Sequence, residues 1–324
     1  MRALRAFLEI TFGATLVVFA GVGGTAIAQS GPPIRVIVPF PPGGTADLLA
    51  RVVTQQIGET TKQTMIIENR PGAGASIAYE LTARALPDGN TVVIAANSVV
   101  INPLLRKVNF DPVKSFSPIC DLVASPLIFV VSTASAYKTI DELIAAAHAK
   151  PGLLTIAALG PATTQHIAFE SFKRATKTDM IFVPFSGGAP AVNALLGQHV
   201  DVALVNYSEA VEQIKAGKLR ALATTSASRL NAAPELSTVA ESGYPGYSAE
   251  VWLGVLAPAA TPGSRVTQLA DWFATAMQSS EVRNKLEAVG LYPAVRCGKD
   301  FADFINAQSG DYAHIIRDAN IKVE

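Results

Sequence analysis

Short β-branched runs alternate with longer segments whose apolar residues recur every three to four positions, and this alternation constrains the chain more than any other feature. Residues 34–38 read as a strand, closed by the prolines and glycines of 39–44. A helix over 45–57 follows, with Leu48, Leu49, Val52, Val53 and Ile57 on one face. Residues 65–68 and 91–95 read as strands around a helix over 76–86 that Pro87, Asp88 and Gly89 stop.

The plan then repeats. Strands are expected at 127–131, 154–158, 180–183, 202–205 and 219–224. Thr139 and Glu142 have capping-box spacing at the start of a helix that ends before Pro151 and Gly152. Further helices are expected at 165–175 and up to Leu196. After a strand over 251–257 come helices at 263–278, 281–289 and 300–317. Such a pattern predicts an α/β fold of mainly parallel strands in two lobes, 29–124 with 253–324 and 125–252. The chain would cross between them near Ala124 and Trp252, and a cleft between two lobes is where small molecules usually bind.

Residues 1–28 lie outside that plan. Arg2 and Arg5 precede a mostly apolar run over 7–22, and Ala26-Ile27-Ala28 is a small-x-small signal before Gln29. This reads as a cleavable secretory signal peptide; Glu9 and Thr11 interrupt a run already short for a membrane span. The mature chain, from Gln29, is therefore expected to be a soluble extracytoplasmic protein. With 26 Lys and Arg against 26 Asp and Glu, the net charge is zero, which gives no electrostatic footprint for nucleic acid. Hydrophobic residues make up 49% and charged residues 16%, enough for a sizeable core and unlike a disordered chain.

Cys120 and Cys297 could form one disulfide or remain two buried thiols. The four histidines show neither HExxH nor close pairing with cysteine, so no metal and no cofactor are expected.

Two glycine-rich loops carry the chemistry. One holds Phe40, Gly43, Gly44, Thr45 and Asp47; the other holds Phe185, Ser186, Gly187, Gly188 and Ala189. Each follows a strand and opens a helix, so its amides lack intrahelical acceptors and point outward at the positive end of the dipole. Such ends bind anions without a Lys or Arg, and glycine lets a ligand oxygen approach the backbone. One loop per lobe suggests a clamp on a single anion. Gly44 or Thr45 would cap its helix, with Asp47 as a brace. Ala75, Ser76, Asn97, Thr163, Thr164 and Asn206 stand at other strand ends and could line the cleft, while His166 reads as a packed histidine.

Catalytic readings fare poorly. Gly74-Ala75-Ser76-Ile77-Ala78 lacks the final glycine of a nucleophile elbow, which weakens a secreted serine hydrolase using Ser76. No Gly-Lys-Ser/Thr or complete dinucleotide fingerprint is present. The residues support binding over turnover.

Several motifs also occur in a fixed order: Val-Pro-Phe-Pro-Pro-Gly-Gly-x-x-Asp at 38–47, Glu-Asn-Arg-Pro-Gly-Ala-Gly at 68–74, Pro-Asp-Gly at 87–89, Gly-Gly-Ala-Pro-Ala at 187–191, Ala-Gly-Lys-Leu-Arg-Ala-Leu-Ala at 216–223 and Leu-Ala-Pro-Ala-x-Thr-Pro at 256–262. In this the chain resembles the Bug-type receptors, the extracytoplasmic solute-binding proteins of tripartite tricarboxylate transporters, over essentially its whole mature length. The resemblance implies a type II periplasmic-binding-protein fold, no reaction, and a ligand carboxylate held largely by backbone groups and ordered waters of the two glycine loops. It also implies delivery to a membrane permease of one large and one small subunit by a receptor expected to be a monomer. An orphan carboxylate sensor is the remaining alternative.

Ligands of such receptors include di- and tricarboxylates, acidic amino acids, nicotinate-like compounds and aromatic carboxylates. This sequence departs from the pattern at Phe185-Ser186, where Tyr-Lys is frequent, and at Val205, where an acidic residue is frequent. Those departures disfavour acidic amino acids, whose ammonium would lack a counter-charge, and favour a less polar carboxylate.

Overall fold

The computed structural model describes residues 31–322; the expected signal peptide lies outside the described residues. Strand β1 (Ile34–Val38) shows how the sequence builds its layers. Ile34, Val36 and Val38 pack on one face with Leu49, Val53 and Ile57 of helix α1 (Thr45–Thr61). Ile37 points the other way, into a cluster with Tyr79 of α2 (Ser76–Ala83) and Val93 of β3 (Thr91–Ala96). The period of two in the strand and 3.6 in the helix thus place helices on both faces of one sheet. Each such fully buried aliphatic side chain contributes about 1.5–3 kcal/mol relative to exposure.

β1 pairs in parallel with β2 (Met65–Asn69) and β3, and helix α3 (Ser98–Leu105) follows β3. The next strand, β4 (Phe116–Ser132), runs for 17 residues without a break. After it come α4 (Ile140–Ala149), β5 (Thr155–Leu159), α5 (Thr164–Thr176), β6 (Ile181–Phe185), α6 (Gly188–Leu196), β7 (Val202–Asn206), α7 (Tyr207–Lys215) and β8 (Leu219–Thr224). The chain closes with β9 (Glu250–Pro258), α8 (Gly263–Gln278), α9 (Ser280–Glu287), β10 (Tyr292–Cys297) and α10 (Lys299–Asp318).

The path of pairing is β2-β1-β3-β9-β4-β7-β5-β6, with β8 and β10 also on β4. β4 changes partners midway: Phe116 to Pro126 pair with β9, and Leu127 to Val130 pair with β7. One continuous strand therefore belongs to both halves of the molecule, and β9 runs antiparallel beside its first part.

The sheets are mixed, which corrects the expectation of mainly parallel strands. β1, β2 and β3 are parallel, as are β5, β6 and β7, but β4, β8, β9 and β10 pair antiparallel. Cys120 and Cys297 are joined as a disulfide, across directly paired positions of β4 and β10.

Candidate functional site

The two glycine loops face each other. α1 starts at Gly44, and α6 starts at Gly187; both N-caps are extended and neither makes a side-chain capping bond. The amides of Ala46 and Asp47 in α1, and of Gly188 and Ala189 in α6, fall in first turns, where no intrahelical acceptor exists. Between these ends lies a cavity of about 30 Å³, lined by Phe40, Gly44, Thr45, Gly187, Gly188 and Ala189 among others. Thr163, Thr164 and Asn206 complete its polar wall, while Pro41, Leu159, Val251 and Leu253 are apolar. That volume holds roughly two water molecules, so a carboxylic acid larger than that enters only if the halves separate.

Contacts across the cleft are direct. The Thr45 hydroxyl bonds that of Ser208 at 2.7 Å. Thr45 therefore reaches across to α7 and does not cap its own helix as expected. The Thr45 amide donates to Glu209 Oε1 at 3.4 Å. Glu209, which sequence reading missed, stands at the third position of α7 and reaches back to accept the Asn206 amide at 3.0 Å. Its carboxyl also lies against the start of α6: a Cβ on Gly188 would overlap it, and one on Gly187 would sit 2.9 Å from Pro41 Cδ. Here both glycines are required by close approach. Burial pushes the Glu209 acid up, although the amides of Asn206 and Thr45 favour its charged form.

Gly188→Ala is accordingly expected to eject Glu209 from its place and hold the halves apart. Overpacking of this kind costs about 1–3 kcal/mol. Denaturant unfolding together with small-angle scattering would check it; an unchanged scattering profile and midpoint would refute the close-packed seam.

A second, open recess of about 600 Å³ adjoins the cavity through Phe40, Leu159 and Thr163. Ala75, Phe185 and Ser186 line it. So does Arg106, at the end of α3, whose Nη2 donates to the Pro161 carbonyl at 2.9 Å while Nε is buried without a partner among the described residues. Ala73 and Ala75 hold left-handed φ values of 48° and 82° beside it, a strain that surrounding packing must sustain.

The remaining expected residues line neither space. Gly43, at φ 81°, donates its amide to Asp47 at 3.0 Å. Asp47 braces the loop: burial would raise its acid, but hydrogen bonds from Arg51, the Gly43 amide and Asn69 outweigh burial and hold it below the usual range. Asn97 ties β9 to α10, accepting the Trp252 amide at 3.0 Å and donating to Tyr312 Oη at 2.8 Å. The Ser76 hydroxyl donates to Asn102 Oδ1 at 3.0 Å, an amide oxygen and not a base, and so lacks the partner a nucleophile needs. Thr163, which lines both spaces, also caps α5 by accepting the His166 amide at 3.4 Å.

Comparison with known proteins gives a consistent picture. A family model described as the tripartite tricarboxylate transporter family receptor matches residues 49–321. Protein BugT of Bordetella pertussis is 30% identical over 310 residues, 94% of this chain and 95% of BugT. A solved structure described as a periplasmic transporter superposes with a TM-score of 0.87 at 34% identity, over 90% of this chain and 98% of its own. An R. palustris protein solved with adipate superposes with a TM-score of 0.86 at 29% identity, over 90% and 98%.

Proposed function

Because the chain belongs to the tripartite tricarboxylate transporter receptor family, we propose that it captures a small carboxylate between its halves and hands it to a permease of one large and one small membrane subunit. The family is one of periplasmic solute-binding receptors with the fold described above. The observation that carries the ligand class is the convergence of two helix starts, α1 and α6, on one cavity. Their free amides supply donors to a carboxylate, each worth about 1.5–3 kcal/mol when the acceptor is charged. Adipate in the similar R. palustris protein supports the same class.

Entry and closure follow from the fold. Residues 31–124 with 253–322 form one lobe and 125–252 the other, and they swing about the point where β4 leaves β9 for β7. The open form admits ligand, and closure brings Thr45 back to Ser208. The receptor works as a monomer, exported by the signal peptide at 1–28.

Thermal unfolding against a panel of mono-, di- and tricarboxylates and aromatic acids tests this. A ligand at ~100-fold above its Kd stabilises the native state by about 2.7 kcal/mol, or roughly 5–10 °C in a chain of this size. A panel without any shift would refute the carboxylate assignment.

A further inference from the structure

The cavity's own charge is the feature that the carboxylate reading leaves unused. Among the described residues lining it, Glu209 is the one acidic side chain, and no Lys or Arg is present. Glu209 accepts from the amides of Thr45 and Asn206 and from Asn206 Nδ2, at 3.4, 3.0 and 3.3 Å, and the Thr45 side chain also acts on it. Among the described residues no cation forms an ion pair with it. On α1, Asp47 is spent on Arg51, Asn69 and Gly43. α6 carries no ionisable side chain at all.

A plain carboxylate placed on the α1 and α6 amides would therefore face the Glu209 carboxyl with no cation between them. A ligand that brings its own cation removes that conflict. The amides and Glu209 sit at the same end of the cavity, since Glu209 itself touches both helix starts. The two charges of the ligand must then be neighbours. Pro41, Leu159, Pro190, Val251 and Leu253 give the cavity apolar wall, beside the uncharged polar groups of Ser98, Thr163, Thr164 and Gln165.

We infer that Glu209 is the specificity-determining residue of the cleft and that the ligand is a 2-amino acid with an apolar side chain, its carboxylate on the helix amides and its ammonium on Glu209. This rests on the carboxylate-receptor reading and narrows it. It also revises the expectation drawn from Val205: the acid missing there is supplied one helical turn later, from α7.

Matched pairs isolate the claim. Norleucine and hexanoate differ by one ammonium, as do phenylalanine and 3-phenylpropanoate; 1-aminopentane carries the ammonium without the acid. Calorimetry on the full mature chain should show each amino acid binding roughly ten- to a hundredfold more tightly than its deaminated acid. Glu209→Gln keeps a side chain suited to the capping box and should erase that preference. Wild-type protein alone can overturn the proposal: hexanoate equal to norleucine, with or without uptake of a proton, sinks the role of Glu209 and spares the carboxylate receptor. If 1-aminopentane matches norleucine, the carboxylate reading fails instead. Silence across all five compounds counts against both.

Discussion

Replacing Cys120 and Cys297 together by alanine is expected to lower the midpoint of thermal unfolding by roughly 5–15 °C, corresponding to a loss of about 2–5 kcal/mol. The bond joins residues 177 apart, so in the unfolded chain it closes a loop that covers more than half of the molecule. Loop-closure entropy grows only with the logarithm of length, and a loop of about 100 residues already corresponds to about 4.7 kcal/mol in the chain-entropy model. Measured values commonly fall below that limit, which sets the lower end of the range. In the native state the bond fastens β10 to β4 and so anchors the segment leading into α10. Scanning calorimetry of the oxidised protein, the reduced protein and the double variant would decide the point. Coincident midpoints for all three would mean that the cross-link does not restrain the unfolded chain.

A comparable effect is expected from acid. His166 is buried beside Phe182, 5.1 Å between ring centres, and its Nδ1 has no hydrogen-bond partner among the described residues. Burial, with the charges of Arg106 and Lys173, lowers its pKa to about 4. The unfolded chain holds this group near its ordinary value of about 6.5. Between those values the unfolded state binds the extra proton and the native state does not, so stability falls as the pH is lowered through that window. The loss attributable to His166 reaches about 3 kcal/mol at pH 4 relative to pH 7. His166→Phe preserves a ring against Phe182 and removes the titration. Urea unfolding of both proteins at pH 7 and pH 4 should show the variant losing about 3 kcal/mol less; parallel losses would show that His166 is protonated in the folded state.

The elements that sequence made legible are those whose periodicity is uninterrupted. β1, α1, β3, α8 and α10 sit where the alternation of apolar residues places them, because one face of each is buried along its whole length. The elements it missed are those where a local signal contradicts the tertiary one. α3 carries Val99, Val100 and Ile101 followed by Pro103, a composition that suggests a strand and then a break, yet packing against α10 and β3 holds it helical. Pro118 and Pro293 hid the first part of β4 and all of β10; shifts of register occur beside both. α7 follows β7 with no intervening loop, so no turn residues marked its start.

The site divides the same way. Both glycine loops could be located from their position between strand and helix, since backbone donors at a helix start need no particular side chain. Glu209 and Arg106 could not, because each reaches the cleft from an element that the periodicity did not reveal. The capping-box spacing of Asn206 and Glu209 was the available signal for the first. The disulfide needed the pairing of β4 with β10, which two cysteines so far apart in the chain do not disclose.

The uninterrupted passage of β4 between the halves, with β9 alongside as far as Glu250, has a mechanical consequence. Two hydrogen-bonded ribbons make a stiffer connection than a single slack tether. The ordering entropy of that joint is already lost in the empty protein. Little of a ligand's binding energy is then needed to order this joint.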